Sequence, residues 1–247
     1  MCRLPISFKT FKKIKKPIVT YGTSIDADFR AVNISFKKNI SKYLLLHRDS
    51  ELGEVVVNAP GMHNVLNSLA AMTLGLELNI SFNVLKNGIA NYNGVRRRFD
   101  IKENYSNIIV VDDYAHHPTE VNATINAAVF GWDKEIIVVF QPHLFSRTRD
   151  FYKEFAESLY QSNFILITDI YPAREKPLKG INSKLILDEL KNLGHKNTFY
   201  IKDLSKLNQI LDEFELDNHM LITMGAGDIW RYNENYNNHL NEKVSAQ

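Results

Sequence analysis

From residue 108 onward, short apolar runs alternate with longer stretches whose apolar positions recur every three or four residues. Ile108–Val111, Glu135–Phe140, Phe164–Thr168, Thr198–Ile201 and Met220–Met224 have strand length and are rich in Val, Ile and Leu. Between them, 119–130, 148–161, 183–193 and 204–214 carry helical periodicity, and a last helix is expected after Gly227. Such regular alternation predicts an α/β unit: a doubly wound, mostly parallel sheet with helices on both faces. The first part of the chain reads differently. Ile18–Tyr21, Phe29–Phe36, Tyr43–His47 and Glu54–Val57 are short strand-like runs, separated by Gly22, the Lys37-Lys38-Asn39 turn and residues 49–53. Pro60-Gly61 breaks this series, and two helices are expected at Met62–Leu78 and Phe82–Tyr92. Val65, Leu66, Leu69, Met72 and Leu76 mark a buried face on the first helix. The strands before it look like a β layer without a core of its own, to be covered by something else. The change of pattern near residues 95 to 100 divides the chain into 1–97 and 98–247.

Composition narrows the partners. At 247 residues, 45% hydrophobic and 23% charged, the chain matches ordinary globular domains. A net charge of +2 provides no global field for nucleic acid or a membrane surface, and neither partner is expected. The run Lys9 to Lys16, with Phe8, Phe11 and Ile14 at helical spacing, reads as a solvated helix face or as a nucleic-acid arm, the first being the commoner use of such a run. A single cysteine, Cys2, excludes an internal disulfide and fits a reducing compartment. No apolar run reaches the roughly 18 residues of a membrane span, and no apolar stretch follows the first lysines as in a signal peptide. A cytoplasmic location is expected.

The candidate chemistry collects at strand ends. Ile108–Val111 gives way to Asp112-Asp113-Tyr114-Ala-His116-His117-Pro118, with Pro118 suited to the first turn of the next helix. Gln141-Pro-His143-Leu-Phe-Ser146-Arg147-Thr-Arg149 follows the second run, Asp169-Ile-Tyr-Pro-Ala-Arg174-Glu175 the third, and Gly225-Ala-Gly227-Asp228 the last. In a doubly wound sheet these ends share one edge, where ligands bind. Asp112-Asp113 alone reads equally well as a solvated loop; the adjoining phenol and imidazoles favour a site for an anionic or zwitterionic ligand. Asn64 and Asn67 share a helical face near the start of their helix. They can offer carboxamides to a purine edge, or Asn64 can simply cap the helix. Arg96-Arg97-Arg98 at the boundary suits phosphate recognition or a solvated basic turn. No Gly-x-x-x-x-Gly-Lys-Ser/Thr phosphate loop and no Cys/His metal spacing occur, so no protein-held metal is expected.

Seven segments, in order, resemble the bacterial Mur ligases: Thr20-Tyr-Gly22, Gly61-Met-His-Asn-Val-Leu-Asn67, Gly94-Val-Arg-Arg-Arg-Phe99, Val111 to Glu120, Gln141 to Asp150, Asp169 to Glu175 and Gly225 to Ile229. Within the family they look most like the branch that adds alanine. The resemblance covers nearly the whole chain from Pro17. It implies a C-terminal Rossmann-like domain, preceded by the β-rich end and closing helices of the family's central ATPase domain. The family's phosphate loop, its Mg2+-binding glutamate and its carbamylated-lysine or histidine metal site are expected upstream of Met1.

The activity so implied is ATP-dependent joining of L-alanine to UDP-N-acetylmuramate through an acyl phosphate, in peptidoglycan precursor synthesis, with ATP and Mg2+ as cofactors. The resemblance also implies site residues. Asn64 and Asn67 would hold adenine, Asp113 the ribose, and Arg98 the phosphates across the junction. Tyr114, His116 and Arg147 would grip the alanine and the acyl phosphate, supported by His143 and Arg149. His116, Arg147 and Arg98 are the expected catalytic set. Some relatives carry an arginine where this chain has Leu144, which shifts the carboxylate grip onto Arg147. The chain alone is not expected to turn over ATP. An inactive binding remnant, or a piece of the related murein-tripeptide ligase, is the alternative; a monomer or homodimer is expected.

Overall fold

The computed structural model describes residues 16–105, 107–214 and 218–245. The basic run ending at Lys16 lies, except for Lys16 itself, outside the described residues. The first sheet has the order β1 (Tyr21–Gly22), β2 (Phe29–Lys37), β3 (Ile40–His47), β4 (Ser50–Val57). β1 runs parallel to β2; the other pairs are antiparallel. Both hairpins close tightly, because Lys38 (φ 51°) and Arg48 (φ 54°) take the left-handed conformation at their tips. The strands therefore extend beyond the apolar runs, and residues 50–53, expected in a connection, are strand. At the start, β1 keeps only two residues, with Ile18 and Val19 exposed.

One expectation is overturned here. The β layer does have a core: Phe29, Tyr43, Leu45, Val55 and Val57 meet Val65, Leu69 and Met72 of α1 (Met62–Glu77). The apolar helix face recognised in the sequence is itself the cover. Phe82, Leu85 and Ile89 of α2 (Phe82–Ala90) close its flank.

The second sheet contains β5 (Asp100–Tyr105), β6 (Ile108–Asp113), β7 (Glu135–Phe140), β8 (Phe164–Thr168), β9 (Thr198–Ile201) and β10 (His219–Met224), in the order β5-β6-β10-β7-β8-β9. Only β5 is antiparallel, and it is the strand that the pattern did not reveal. The helices are α3 (Pro118–Gly131), α4 (Phe145–Leu159), α5 (Lys184–Asn192), α6 (Leu207–Asp212) and α7 (Trp230–Ser245). A 3-10 turn over Leu204–Lys206 precedes α6, splitting the single helix expected there. Side chains alternate across the sheet as a period of two requires. Ile109, Val111, Ile136, Val138, Phe140, Ile165 and Ile167 pack under α3, α4 and α5. Val110, Ile137, Val139, Leu166 and Leu221 pack under α6 and α7. Helices on both faces leave the carboxyl edge of the parallel strands as the open side.

The two sheets touch where the β2–β3 turn meets the end of α3: Lys38 N–H donates to Gly131 O at 2.9 Å. A Cβ on residue 131 would lie 3.2 Å from Lys38 O, so glycine permits this approach. The fold predicts a sharp contrast between two phenylalanines. Phe140→Ala, at a fully buried position, is expected to destabilise the chain by about 3–5 kcal/mol in urea unfolding, whereas Phe130→Ala, at a site 66% exposed, stays within about 0.5 kcal/mol of wild type. Equal losses would contradict the core assignment.

Candidate functional site at the strand ends

β6 does not stop at Val111. Asp112 and Asp113 pair in register with Thr223 and Met224 of β10 and are buried, so the two carboxylates belong to the strand and not to a loop. Burial is tolerated because each is hydrogen-bonded. Asp113 Oδ2 accepts from Phe99 N–H at 2.8 Å and Oδ1 from Ala115 N–H at 2.7 Å. Burial pushes its carboxyl above the usual range, and these N–H groups, with the Thr124 hydroxyl, pull against that shift. Asp112 Oδ2 accepts from Arg97 Nε at 3.1 Å and Oδ1 from Thr223 Oγ at 3.2 Å. Arg97 also donates to Gly225 O at 2.8 Å, and its guanidinium lies 4.9 Å from the Tyr114 ring centroid. Its backbone, at φ 61°, accepts from Tyr114 N–H at 2.8 Å. The linker is thereby tied to the ends of β6 and β10.

After β6 the chain turns into α3 through a capping box. His117 Nδ1 accepts weakly from Thr119 N–H at 3.4 Å, and Glu120 Oε2 accepts from His117 N–H at 3.3 Å and also from His116 N–H at 3.0 Å. Burial raises the Glu120 pKa, but the His116 N–H, His116 itself and Arg98 more than offset it, leaving the carboxyl below its usual range. His116 Nδ1 lies 2.9 Å from Tyr114 O and 3.3 Å from Glu120 Oε2, both of which only accept, so Nδ1 carries a proton and Nε2 is the ring nitrogen left to face a ligand. Arg98 is half exposed, 3.7 Å from Glu120 and 5.7 Å from the Tyr114 ring centroid.

The next strand end brings His143 and Arg147 to the same place. Arg147 donates to His116 O at 3.2 Å, and the His116 and His143 rings are 5.8 Å apart. His143 stacks on Tyr171 from the end of β8. Burial, then the Arg147 guanidinium, hold the His143 pKa below its ordinary value, and its buried Nδ1 has no hydrogen-bond partner. Farther along, Gln141 donates to Asp228 at 2.8 Å. A cavity of about 320 Å³ lies there, lined by Gln141, Asp169, Tyr171, Lys202 and Asp228 among others.

Two family models match the chain: the Mur ligase middle domain over residues 4–75, and the Mur ligase glutamate ligase domain over residues 97–227, more than half of the sequence. The chain belongs to the Mur ligase family. A UDP-N-acetylmuramate–L-alanine ligase of Geotalea uraniireducens is 41% identical over 221 residues, 90% of this chain and 48% of that protein. The crystal structure of the UDP-N-acetylmuramate–alanine ligase of Thermotoga maritima superposes with a TM-score of 0.77 at 27% identity, covering 93% of this chain and 48% of that one. A murein peptide ligase from Psychrobacter arcticus reaches a TM-score of 0.61 at 18% identity over 92% of this chain and 47% of that one, a likeness of fold alone. The chain spans about half the length of the curated relatives it matches.

Of the Mur ligase positions anticipated from sequence, Tyr114, His116, His143, Arg147 and Arg98 lie together at this edge. Four others fall differently. Arg149, expected to support the grip, instead pairs with its neighbour Asp150 at 2.7 Å on the exposed side of α4. Asp113 faces the linker with both oxygens engaged. Asn64 does not cap α1, whose cap position is Gly61; its Nδ2 donates to Pro60 O at 2.8 Å. Asn67 is exposed, and neither asparagine hydrogen-bonds to the edge among the described residues. The link runs through His63, which follows Met62 at the start of α1 and feels the Arg98 charge. Sequence reasoning missed Arg97, Glu120 and Glu175. No group of three His, Cys, Asp or Glu able to hold a metal occurs among the described residues, and no helix there is long and apolar enough to cross a membrane.

His63 and His143 generate a pH prediction. Burial holds both below their ordinary value of 6.5, so the folded state binds fewer protons than the unfolded chain below that value. Their contribution to stability is present above 6.5 and lost as pH falls through the lowered folded values. Urea unfolding should therefore show stability falling from about pH 7 to about pH 5, with a shallower fall in the His63→Gln/His143→Gln double variant. An unchanged slope in that variant would remove both residues from this role.

Proposed function

We propose that this chain provides the amino-acid side of an ATP-dependent ligation joining L-alanine to UDP-N-acetylmuramate, a reaction of peptidoglycan precursor synthesis. The observation that carries this reading is the convergence of Arg147, His116, His143 and Tyr114 at one strand edge, in a chain 41% identical over 221 residues to a ligase of that name. An arginine beside imidazoles suits a zwitterion: a guanidinium binds carboxylate as a planar fork, and an imidazole in its neutral form takes a proton from ammonium. Arg147 holds the alanine carboxylate. His116 Nε2 accepts the ammonium proton, leaving the amine free to attack an activated carbonyl. His143, kept neutral, and the Tyr114 phenol line the same place. Arg98 offers a half-exposed cation for the negative charge that builds on oxygen in both steps.

ATP, when bound, supplies the phosphoryl group that activates the muramate carboxylate as an acyl phosphate. The residues present fit part of that cofactor. Asn67 is exposed and Asn64 keeps its side-chain carbonyl unused among the described residues, so both can meet an adenine edge; Arg98 is accessible to phosphate. Asp113 does not fit a ribose in this conformation, because both oxygens are taken and the side chain is buried. No role is assigned to Arg149, and none of this chain's described residues is assigned to Mg2+. Residues 1–97 are read as middle-domain and 98–247 as the amino-acid-handling domain.

The test is titration of the full chain with L-alanine, followed by NMR of the histidine rings. L-Alanine should shift His116 and His143, and Arg147→Ala should weaken binding about ten-fold or more, the loss of a charge-assisted pair of about 1.5–3 kcal/mol. Absence of any alanine-dependent shift, or equal affinity in Arg147→Ala, would contradict the assignment.

A further inference from the structure

α4 starts in an unusual way. Its cap position is Leu144, at φ 73°, a residue with no side-chain acceptor for the helix's first N–H groups. The acceptor comes from 29 residues away: Glu175 takes Ser146 N–H at 2.9 Å and Ser146 Oγ–H at 2.5 Å. These two contacts, with a further one from Phe145 N–H, hold the Glu175 carboxyl below its usual range.

The segment carrying Glu175 is laced to the start of α4 along its length. Tyr171 N–H donates to Pro142 O at 2.8 Å, and Leu144 N–H donates to Tyr171 O at 3.0 Å. Glu175 N–H returns to Pro172 O at 2.9 Å, closing a turn in which Ala173 sits at φ 49°. Both anchors bear on the site. Tyr171 stacks on His143, and Glu175 fixes the residue immediately before Arg147.

We infer that Glu175 is a positioning residue for the amino-acid site: its carboxylate clamps the first turn of α4 and so aims Arg147, while the strap behind it seats His143. The charge matters as well as the bond. An anion at the amino end of α4, whose first turns run to a kink at Phe151 (φ −129°), suits the partial positive charge of the N–H groups there, and it feels the Arg149 charge without an ion pair to it among the described residues. Arg147 stays available to a ligand carboxylate. Although the inference rests on the ligand assigned above, the clamp itself can be judged without that ligand.

The experiment compares wild type with Glu175→Ala, Glu175→Gln and a control, Asp203→Ala. Asp203 makes the same kind of carboxylate–serine clamp, to Ser205 N–H and Oγ, beside the outermost strand β9. Glu175→Ala should weaken L-alanine binding about ten-fold, Glu175→Gln less because it keeps one acceptor, and Asp203→Ala less than about two-fold, while both alanine variants lower Tm. Alanine affinity unchanged in Glu175→Ala overturns the inference. Where wild type itself shows no alanine binding, the functional reading fails and limited trypsinolysis decides the clamp. Cleavage after Arg147 about ten-fold faster in Glu175→Ala than in wild type and Asp203→Ala supports it, and equal rates overturn it. If Glu175→Ala does not fold, Ser146→Ala takes its place, with a loss of about three-fold expected from one contact.

Discussion

A carboxylate can remain at a partly dry sheet edge only where N–H groups or a guanidinium replace its lost water. The architecture of this site follows from that requirement. Asp113 takes the N–H groups of Phe99 and Ala115, and so joins the linker, β6 and the loop into α3. Asp112 takes Arg97, which in turn reaches Gly225 after β10. Glu120 gathers the His116 and His117 N–H groups, and Glu175 ties the strap after β8 to α4. Asp112 and Asp113 are both satisfied from the linker, Glu120 from the loop into α3 and Glu175 from the start of α4. Removing one partner would strand a buried charge or open N–H groups, and the elements that converge at the edge would lose their mutual register.

The open sheet edge was legible because its strands are covered on both faces. Such strands read as continuous apolar runs, and β7, β8 and β9 begin and end where those runs do. β5 escaped notice because an antiparallel edge strand reading Asp-Ile-Lys-Glu-Asn-Tyr has no apolar signature. The β layer was thought to need an outside cover because its helix was judged apart from its strands. The continuation of β6 through Asp112 and Asp113 was illegible for a deeper reason: a carboxylate in a strand makes sense only with its tertiary partner, and Arg97 and Phe99 lie 15 and 14 residues away. Three consecutive arginines look alike until φ 61° turns Arg97 inward. Glu175 was missed because its partner is 29 residues distant. For Arg149 a signal did exist: residues two apart on a helix do not share a face, so Arg147 and Arg149 could not both point at the site.

These pairings divide the labour between fixed and half-exposed groups. Arg97 is locked into the junction, whereas its neighbour Arg98 keeps a half-exposed side chain near Tyr114 and Glu120. A buried-pair cation organises the edge, and a half-exposed one stands at its rim beside Glu120. His143 and Arg147 are similarly held from behind, so an amino acid arriving there would meet groups already in place, with little ordering left to be done on binding. Asn64 and Asn67 stand on α1, where His63 feels the charge of Arg98 at the edge. The stretch Val95 to Phe99 therefore sets how α1 meets the edge, since Asp113 and Arg97 hold its backbone.

The most direct measurement is a crystal structure of the full chain soaked with L-alanine. The carboxylate should lie within hydrogen-bonding distance of Arg147, and the amine beside the His116 ring, with Asp112 and Asp113 still bound to Arg97 and Phe99. Alanine bound away from Arg147 and His116, or an edge without alanine at saturating concentration, would contradict the account.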